Sequence, residues 1–413
     1  MAKANDHLGV YLHESFVGQL SLQGRDLTFK YDSQYLKTDG PTLSVRLPLS
    51  EQLYGDDIAR PFFANLLPEG GFRRELCRQY GISEANDFAL LKAIGGDCAG
   101  AVSILPDDEV LLGASKRNYH LLEKHDLANL FPQQQNSKMM VAGQRLSLAG
   151  AQNKVPLYFD GTDLYIPVNG APSSHILKPA MGEEYPGSVA NELFCNKLAD
   201  EIGLTVPQTE WFYGHYLIER YDRIDKNGQI NRLHQEDFCQ ALGYLPTQKY
   251  QTTEGGPGFK QCFQLLNGSG IPVFDKKRLL EWGLFNLIIG NADAHAKNIS
   301  ILYRGSSYQL APLYDLICTA VYPGLDNKLA MKIGGENRLQ WLSLRHLQRF
   351  AEEDADIKVK MVHNELKKML QNISEAAPSV AQKVFSLTGE KIVAKILEII
   401  NKNCEKLSKI SSS

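Results

Sequence analysis

The stretch Asn291-Ala-Asp-Ala-His-Ala-Lys-Asn298 decides the fold that the sequence predicts. Within it, Asp293 and Asn298 stand in the spacing D-x-x-x-x-N. An apolar run from Leu279 to Ile289 precedes the stretch and predicts a buried helix. Two short apolar runs on either side of Gly305-Ser-Ser follow it and predict a hairpin. The predicted order is therefore a helix, a polar loop and a hairpin.

The predicted hairpin leads to Leu313-Tyr-Asp315, which adds a second carboxylate beyond the loop. A protein-kinase catalytic loop has an aspartate and an asparagine at the same spacing, and another metal-binding aspartate follows the next hairpin. The first aspartate orients or deprotonates the attacking hydroxyl, while oxygens of the other two residues bind Mg²⁺. We therefore predict Asp293 as the catalytic base and Asn298 and Asp315 as metal ligands. Judged by spacing alone, the loop would more often be a turn after a helix.

The run His175-Ile-Leu-Lys178 predicts a buried strand that ends on a lysine. Burying an ammonium group is costly, so Lys178 needs a partner. Glu192 is the natural candidate, because it lies on the next predicted helix, Ser188 to Ile202, which we expect to be amphipathic. Kinases pair a strand lysine with a helix glutamate to hold the nucleotide phosphates. A lysine that extends along the surface to water is the alternative.

Two further segments stand where a kinase binds the rest of its nucleotide. Ser147-Leu-Ala-Gly-Ala-Gln-Asn-Lys154 precedes a hairpin predicted by Asp160-Gly161, and that hairpin precedes the lysine strand. Its small residues match no standard phosphate motif, but they can point backbone N–H groups at an anion. A plain turn is the alternative. The segment Ile218 to Arg223 follows a strand and could bind an adenine edge through its backbone, or form a surface cluster of salt bridges.

Composition excludes several other classes of protein. The chain has 413 residues, 43% hydrophobic and 22% charged, as in ordinary globular proteins of two or three domains. Its net charge of −3 argues against binding nucleic acid through bulk charge. The seven cysteines are scattered and form no C-x-x-C pair, so we expect buried, reduced thiols rather than disulfides or a zinc site. We see no apolar signal segment and expect a cytoplasmic protein.

The remaining patterns predict a first α+β module and a mostly helical second half. Alternating residues in 8–31 predict short antiparallel strands, and residues 56–80 predict helix. Residues 115–140 predict a helix and a connector. Beyond residue 225 the pattern is mostly helical, with Asp275 as the N-cap of the helix that leads to the D-x-x-x-x-N loop. The predicted N-terminal module, connector, kinase-like N-lobe part and helical C-terminal lobe occupy residues 1–110, 111–145, 146–224 and 225–413.

Several motifs extend this pattern along the chain. Those in the kinase-like part are Ser147 to Lys154, Arg232-Leu-His-Gln-Glu-Asp237, Gly255-Gly-Pro-Gly258 and Asp293 to Asn298. The first module adds Phe62-Phe-Ala-Asn-Leu-Leu-Pro68 and Ile94 to Val102. Together they resemble the HipA family, the serine/threonine kinase toxins of bacterial HipBA toxin–antitoxin modules. The resemblance extends to about residue 335, and the segment between Lys178 and Asn191, where the family has its activation loop, is short.

The resemblance implies an α/β (α+β) fold that is bilobal and protein-kinase-like, with an N-terminal α+β extension and a mostly helical C-terminal lobe. It implies ATP and Mg²⁺ as cofactors, with Asp293 as the catalytic base. The implied ATP-binding residues are Ala149, Gly150, Ala151, Gln152, Asn153, Lys154, Lys178, Glu219, Arg220, Tyr221, His295, Ala296, Lys297, Asn298, Tyr314 and Asp315. Ser147 matches the position at which family members phosphorylate and inactivate themselves.

The resemblance further implies a toxin that phosphorylates an aminoacyl-tRNA synthetase on serine and arrests translation and growth. The implied partner is a HipB-like helix-turn-helix antitoxin dimer, which would make most of the DNA contact. A small-molecule kinase of the same fold stays open, because the ATP half of a site does not identify the acceptor. A regulatory module that holds ATP without transfer is a further alternative, although it would not need the base at Asp293.

Overall fold

The computed structural model of the chain describes residues 7–107, 109, 118–131, 152–226, 229–268, 273–305 and 307–411. Four of the predicted site residues lie outside the described residues, namely Ser147, Ala149, Gly150 and Ala151. The chain forms two compact units. The first comprises Met1–Lys178, Glu219–Pro246 and Leu302–Ser306, and the second comprises Pro179–Ile218, Thr247–Ile301 and Ser307–Ser413.

The first unit begins with a four-stranded antiparallel sheet. Its strands are β1 (His7–Leu12), β2 (Ser15–Gln23), β3 (Asp26–Tyr31) and β4 (Val102–Pro106), in the order β3-β2-β1-β4. The short antiparallel strands predicted in residues 8–31 are confirmed, with Leu20 of β2 opposite Phe29 of β3. Both of these side chains are fully buried, so this face of the sheet belongs to the core.

Three helices lie between β3 and β4 in the sequence. They are α1 (Asp56–Ala64), α2 (Gly70–Tyr80) and α3 (Asp87–Ile94). Residues 56–80 are therefore helical as predicted, except for a break at residues 65–69. α1 packs on β3, where the rings of Phe63 and Phe29 have centroids 5.6 Å apart. Aromatic packing thus joins the helices of this module to its sheet.

Four strands of a second sheet also belong to the first unit. They are β5 (Asn118–Leu121), β6 (Val155–Phe159), β7 (Leu164–Val168) and β8 (His175–Lys178), in the order β5-β7-β6-β8. The hairpin around Asp160-Gly161 and the strand that ends on Lys178 are as predicted. The prediction of helix and connector is wrong for residues 118–121, which form β5. This edge strand is polar and mostly exposed, so no alternating apolar pattern reveals it.

The prediction of mostly helical structure beyond residue 225 is wrong for the next part of the first unit. There the chain forms β11 (Arg223–Lys226), β12 (Gln229–Arg232) and β13 (Gln235–Asp237) before the short helix α5 (Phe238–Leu242). β11 and β12 pair as a hairpin of mainly polar residues, which carries no strand signal in the sequence. Asp237 and Gln240 form a capping box at the start of α5.

A buried glutamate fastens the N-terminal module to β13. Glu236 is 1% exposed, and its carboxylate accepts hydrogen bonds from Ser44 Oγ at 2.6 Å and from the Val45 N–H at 2.9 Å. The hydroxyl of Tyr303 donates to the same carboxylate. The motif at residues 232–237 therefore has a structural role in the first unit.

The second unit is mostly helical, as predicted for the C-terminal lobe. Its helices are α4 (Ser188–Glu201), α6 (Phe259–Gly268), α7 (Val273–Ile289), α8 (Leu344–Arg349), α9 (Val359–Thr388) and α10 (Ile392–Ser411), with a π-helical turn at Phe350–Ala355. Its strands are β9 (Thr209–Phe212), β10 (His215–Glu219, whose last residue belongs to the first unit) and β15 (Ser307–Leu310), and β14 (Ser300–Arg304) begins in it. α4, α7 and α10 pack against α9, which forms the helical core of this unit.

Two local predictions for the second unit are wrong. α4 is not amphipathic, because it is buried on nearly all sides and several of its buried residues are polar. α7 begins at Val273, so Asp275 lies inside its first turn rather than at the N-cap. The Asp275 carboxylate instead binds Arg278 at 3.0 Å and accepts from the Leu310 N–H at 2.9 Å. Asp275 therefore ties α7 to the end of β15.

The prediction of buried, reduced cysteines is confirmed, because all seven are buried free thiols. Burial raises the pKa of Cys318 to about 12, so this thiol stays protonated and unreactive near neutral pH. Among the residues that the structure describes, no helix combines the length and the apolar character needed to cross a membrane.

Candidate active site

A glycine ends α7 and turns the chain into the loop at residues 291–298. Gly290 has a φ of 73°, in the left-handed region that glycine adopts without strain. A Cβ atom there would lie 3.0 Å from the Cβ of Ala320, so a side chain would also be crowded. The Asn403 amide donates to the carbonyl oxygen of Ile288 at 2.9 Å and satisfies a carbonyl at the helix end. The end of the helix thus fixes where the loop begins.

Hydrogen bonds inside the loop join Asp293 to Asn298. The Asp293 carbonyl oxygen accepts from the His295 N–H at 2.9 Å and from the Asn298 side-chain amide at 3.0 Å. The Asn298 N–H in turn donates to the His295 carbonyl oxygen at 2.9 Å. Because the amide nitrogen of Asn298 is used in this way, its side-chain oxygen is the group left to bind a cation. The D-x-x-x-x-N spacing corresponds to one closed loop.

The carboxylate of Asp293 is half exposed, and two side chains of the described residues approach it. Its Oδ1 accepts a hydrogen bond from the Tyr250 hydroxyl. His295 Nε2 lies 3.9 Å from the same Oδ1, and the His295 side chain is 6% exposed while that of Asp293 is 50% exposed. Sequence reasoning missed Tyr250, since no spacing rule relates a tyrosine to an aspartate so far along the chain.

Asn291 connects the loop to Asp315. Its Nδ2 donates to the Asp315 carbonyl oxygen at 3.3 Å and to Asn286 Oδ1 at 2.8 Å, while its Oδ1 accepts from the Asp293 N–H at 3.0 Å. Asp315 has a φ of 54°, in a left-handed region that is uncommon for residues with a side chain but tolerated by Asp and Asn. The buried side chain of Asn291 therefore binds the backbone of Asp293 and that of Asp315, the two residues that carry the predicted carboxylates.

Tyr314 packs the segment after the hairpin back on the loop. Its hydroxyl donates to the Lys297 carbonyl oxygen at 2.7 Å and lies 2.7 Å from Ser300 Oγ. Ala296, Lys297 and Asn298 form a 3₁₀ turn whose residues are all buried. Tyr314, Ala296 and Lys297 thus hold the loop in place, and their predicted contact with ATP stays a prediction.

Two carboxylates of the second unit raise the pKa of one buried phenol, that of Tyr216. Burial raises the pKa of Tyr216 well above its usual value, and the negative charges of Glu192 and Asp315 raise it further. Glu192 lies on α4 and is 4% exposed. Its neighbour Asn191 binds the N–H and the carbonyl oxygen of Cys318, at 2.9 and 3.0 Å. α4 is thereby attached to the segment that follows Asp315.

Lys178 is the last residue of β8 in the first unit and is 3% exposed. A buried ammonium group needs a counter-charge, which agrees with the reasoning from sequence. Its predicted ion pair with Glu192, a residue of the second unit, stays a prediction. Gln152, Asn153 and Lys154 are partly or fully exposed just before β6, so the end of the predicted phosphate loop is accessible to a ligand.

The connector residues Glu219, Arg220 and Tyr221 belong to the first unit. The Arg220 N–H donates to the Ser174 carbonyl oxygen at 2.9 Å, and the Arg220 carbonyl oxygen accepts from the Arg223 N–H at 3.0 Å. Both backbone groups of Arg220 therefore have partners within the chain. The predicted contact of Glu219, Arg220 and Tyr221 with a nucleotide base stays a prediction.

A buried cluster of charges surrounds this connector. Arg220 and Arg223 each bind both Asp97 and Asp222, at 2.9 to 3.5 Å, and Arg232 lies 3.0 Å from Asp97. These side chains are at most 9% exposed, so the alternative of a surface cluster of salt bridges is wrong. Burial, followed by the positive charge of Arg220, lowers the pKa of Arg223 to about 10. The cluster fixes the connector to the N-terminal module.

The oxygen donors of the loop fit Mg²⁺. Within the described part of the chain, no group of three or more His, Cys, Asp and Glu side chains could hold a metal ion. Mg²⁺ in phosphoryl-transfer sites usually takes one or two protein carboxylates and completes its ligand set with phosphates and water. The carboxylate of Asp315 and the side-chain oxygen of Asn298 are oxygen ligands of the kind that Mg²⁺ prefers, and they are too few to bind it without phosphates and water. They would hold the ion together with a nucleotide.

Two family models match the chain. Residues 8–105 match the HipA N-terminal domain, and residues 146–381 match the HipA-like C-terminal domain. The chain belongs to the HipA family. A HipA-family relative from Shewanella oneidensis, named "Serine/threonine-protein kinase toxin HipA", is 32% identical over 350 residues, which cover 80% of this chain and 79% of the relative. A relative from Sinorhizobium fredii, named "Putative kinase Y4mE", is 40% identical over 393 residues, which cover 92% and 93%.

The solved structures include HipA of Shewanella oneidensis MR-1 in a complex with HipB and its operator DNA. It matches this HipA-family chain with a TM-score of 0.84 and 26% identity, over 98% of this chain and 99% of the other. The predicted fold class is thereby confirmed. The fold is a mixed, kinase-like α/β fold with an N-terminal α+β region and a mostly helical C-terminal region.

Proposed function

We propose that the chain is an ATP-dependent serine/threonine protein kinase that acts as the toxin of a bacterial toxin–antitoxin module. The closed loop that joins Asp293 to Asn298 carries the proposal, because its residue Asn291 also binds Asp315. This loop and Asp315 would together supply one accessible carboxylate and two oxygen ligands for a metal, the groups that phosphoryl transfer requires. The relatives named as kinases support the same class.

In the proposed reaction, the acceptor is a serine or threonine hydroxyl of a protein. Its oxygen forms a bond to the γ-phosphorus of ATP while the bond from that phosphorus to the β–γ bridging oxygen breaks, and ADP leaves. The hydroxyl proton passes to the carboxylate of Asp293, whose half-exposed position makes it accessible to an acceptor. Bound Mg²⁺ supplies positive charge that offsets the charge of the phosphates.

Several segments would hold the nucleotide. Lys178 would contact the α- and β-phosphates, and Glu192 is its proposed ion-pair partner. The backbone from Ala149 to Lys154 would cover the phosphates, and the connector Glu219, Arg220 and Tyr221 would bind the adenine. The residues that would complete the ATP site are His295, Ala296, Lys297, Asn298, Tyr314 and Asp315, of which Asn298 and Asp315 would bind the metal.

The proposed partner is a HipB-like helix-turn-helix antitoxin dimer. Its support is the structural relative, whose complex contains HipB and operator DNA. The proposed target is an aminoacyl-tRNA synthetase, whose phosphorylation would stop translation and growth. Phosphorylation of Ser147 beside the phosphate loop would switch the kinase off, because it places nearly two negative charges next to the site of the ATP phosphates.

A labelling experiment tests the function. The purified chain is incubated with a bacterial lysate, Mg²⁺ and ATP labelled with ³²P at the γ-phosphate, and both proteins and small molecules are analysed for label. Asp293→Asn removes the proposed base. Asp326→Asn makes the same chemical change at an exposed residue that pairs with Lys328, and it serves as the matched control.

We expect labelled protein with the unchanged chain and with Asp326→Asn, and none with Asp293→Asn. Identification of the labelled protein by mass spectrometry names the target, and a protein other than a synthetase rejects that part of the proposal. Label that depends on Asp293 but appears in small molecules rejects the protein acceptor. Absence of any Asp293-dependent label overturns the kinase and favours a module that binds nucleotide without transfer.

A further inference from the structure

Tyr250 contacts the proposed base, although 43 positions separate it from Asp293. Its hydroxyl donates a hydrogen bond to Oδ1 of Asp293. Its ring lies edge-on to the ring of His295, with centroids 5.1 Å apart, and His295 Nε2 is 3.9 Å from the same Oδ1. Two side chains therefore converge on one oxygen of this carboxylate.

The glycine-rich motif Gly255-Gly-Pro-Gly258 closes the loop that presents Tyr250. The N–H of Gly256 donates to the Tyr250 carbonyl oxygen at 3.0 Å. A Cβ atom at Gly256 would lie 2.0 Å from the carbonyl oxygen of Gln248, so any side chain would force the backbone apart. The motif singled out in the sequence thus has a packing function next to Tyr250.

Backbone hydrogen bonds connect the neighbour of Tyr250 to the neighbour of Asp293. The Gln251 N–H donates to the Ala330 carbonyl oxygen at 3.1 Å, and the Ala330 N–H donates to the Ala292 carbonyl oxygen at 3.1 Å. Ala330 therefore bridges the two segments. The approach of the tyrosine to the aspartate is set by the backbone as well as by the side-chain contact.

The two carboxylate oxygens of Asp293 differ in their contacts with the described residues. Among the residues that the structure describes, Tyr250 and His295 approach Oδ1, and none donates to Oδ2. The Asp293 side chain is 50% exposed, so an incoming molecule can approach this carboxylate. A general base needs one oxygen within hydrogen-bond reach of the acceptor hydroxyl.

We propose that Tyr250 is a positioning residue, which holds Asp293 through Oδ1 so that Oδ2 receives the proton of the acceptor hydroxyl. The inference rests on the proposed function and adds the residue that orients its base. A hydrogen bond to an ionised carboxylate is stronger than one between neutral groups, so it can fix the orientation of a half-exposed side chain. Without the tyrosine hydroxyl, the carboxylate would rotate and spend less time in the productive orientation.

Tyr250→Phe tests this role because it removes the hydroxyl and keeps the ring beside His295. Tyr165→Phe is the matched control, since Tyr165 also donates to an aspartate, Asp160, at 2.8 Å on an exposed hairpin. The rate of ³²P transfer from ATP to protein in a bacterial lysate is measured across ATP concentrations for both variants and the unchanged chain. Melting temperature and the binding of a non-hydrolysable ATP analogue are measured alongside.

We expect Tyr250→Phe to lower the maximal rate about tenfold to hundredfold, as loss of a hydrogen bond to a charged group implies. The KM for ATP, the binding of the analogue and the melting temperature should not change, and Tyr165→Phe should match the unchanged chain in every measurement. This separation of maximal rate from KM distinguishes a positioning role from a general loss of structure.

Three results would overturn the inference while the kinase proposal stands. An unchanged rate means that the hydroxyl does not orient Asp293. A higher rate means that Tyr250 occupies the position of the acceptor and blocks it. A fall in rate that comes with weaker analogue binding and a lower melting temperature means that Tyr250 is structural. If the unchanged chain transfers no phosphate, the proposed function fails and this inference fails with it.

Discussion

The side-chain amide of Asn291 binds the carbonyl oxygen of Asp315 at 3.3 Å. The oxygen of the same side chain accepts from the N–H of Asp293 at 3.0 Å. Asn291 is 1% exposed, so both bonds form away from water. One residue therefore sets the separation between the proposed base and a proposed metal ligand, although it touches neither carboxylate.

Asn291→Ala should reduce phosphate transfer at least tenfold. The substitution leaves the buried groups of Asp293, Asp315 and Asn286 without their partner, which costs about 1–3 kcal/mol for each unsatisfied group. Loss of spacing between the carboxylates should lower the rate beyond what the loss of stability explains. The transfer rate per folded molecule and the melting temperature measure the two effects separately.

Asn65→Ala is the control for this prediction. Asn65 is also 1% exposed, and its amide donates to the carbonyl oxygens of Pro61 at 2.7 Å and Tyr244 at 2.8 Å in the first unit. We expect it to lower the melting temperature by a similar amount and to leave the rate per folded molecule unchanged. Equal losses of rate in the two variants would contradict the special role of Asn291.

Gly256→Ala should lower the transfer rate in the same way as Tyr250→Phe. The added Cβ atom would collide with the Gln248 carbonyl oxygen and shift the loop that presents Tyr250. Gly71→Ala adds the same methyl group where the nearest atom is the end of the Arg74 side chain, at 3.7 Å, so it should have no effect. Equal transfer rates for the two alanine variants would show that the glycine-rich motif does not act through Tyr250.

Asp97→Asn should strongly destabilise the first unit. Burial alone would raise the pKa of Asp97, but the charges of Arg232, Arg223 and Arg220 hold it below its usual value. Removing this carboxylate leaves Asp222 as the carboxylate paired with Arg220 and Arg223 and takes the Asp97 counter-charge away from Arg232. Breaking a buried ion pair typically costs about 3–5 kcal/mol. Urea unfolding measures the change. A midpoint equal to that of the exposed-site variant Asp326→Asn would refute the prediction.

Glu236 should make the stability of the first unit depend on pH. Burial raises its pKa to about 7 from a usual value of 4.5, although hydrogen bonds from Ser44, Tyr303 and Val45 lower it. Between these two values the folded chain binds more protons than the unfolded chain. The stability linked to this group is therefore fully present below about pH 4.5 and is lost as the pH rises through about 7.

Glu236→Gln should remove this dependence, because the amide stays neutral. As the pH rises from 5 to 8, the unchanged chain should lose stability that the variant keeps. The difference in the free energy of unfolding between them should therefore change by an amount on the order of 1–3 kcal/mol in favour of the variant. Thermal unfolding at several pH values measures the difference. Glu201→Gln, at an exposed residue that pairs with Lys383, should follow the unchanged chain. If stability changes with pH in the same way in Glu236→Gln and in the unchanged chain, Glu236 is not the group that causes the pH dependence.

Ser147→Asp should weaken ATP binding about fivefold. The carboxylate imitates part of the charge of a phosphate, and a like charge near the ATP phosphates costs about 1 kcal/mol in a solvated site. Calorimetry with a non-hydrolysable ATP analogue and Mg²⁺ measures the affinity. Ser147→Ala keeps the site neutral and should bind as the unchanged chain does. If Ser147→Asp and Ser147→Ala bind the ATP analogue with the same affinity, negative charge at Ser147 does not control ATP binding.

Elements with a clear apolar period could be predicted from the sequence. α7, the hairpin of β6 and β7, and the strand that ends on Lys178 all combine buried apolar runs with turn residues. The strands β5, β11 and β12 could not be predicted, because they are short and polar and their pairing partners stabilise them. Asp275 was misplaced because aspartate is common both at an N-cap and in the first turn of a helix.

The candidate site was predictable where its residues are close in sequence. The spacing of Asp293 and Asn298 reflects a hydrogen bond within one loop, so it is visible in the sequence. The contact of Tyr250 with Asp293 depends on the path of the chain through Ala330, which no local pattern encodes. The glycines that follow Tyr250 were the signal that could have directed attention to it.

The buried charge cluster has a consequence for how this protein can evolve. Asp97 lies in the region that matches the N-terminal domain, while Asp222 and the three arginines lie in the region that matches the C-terminal domain. A recombination that exchanged one region for that of a distant relative would separate the charges. Such an exchange would leave buried charges without counter-charges, and it would therefore destabilise the first unit.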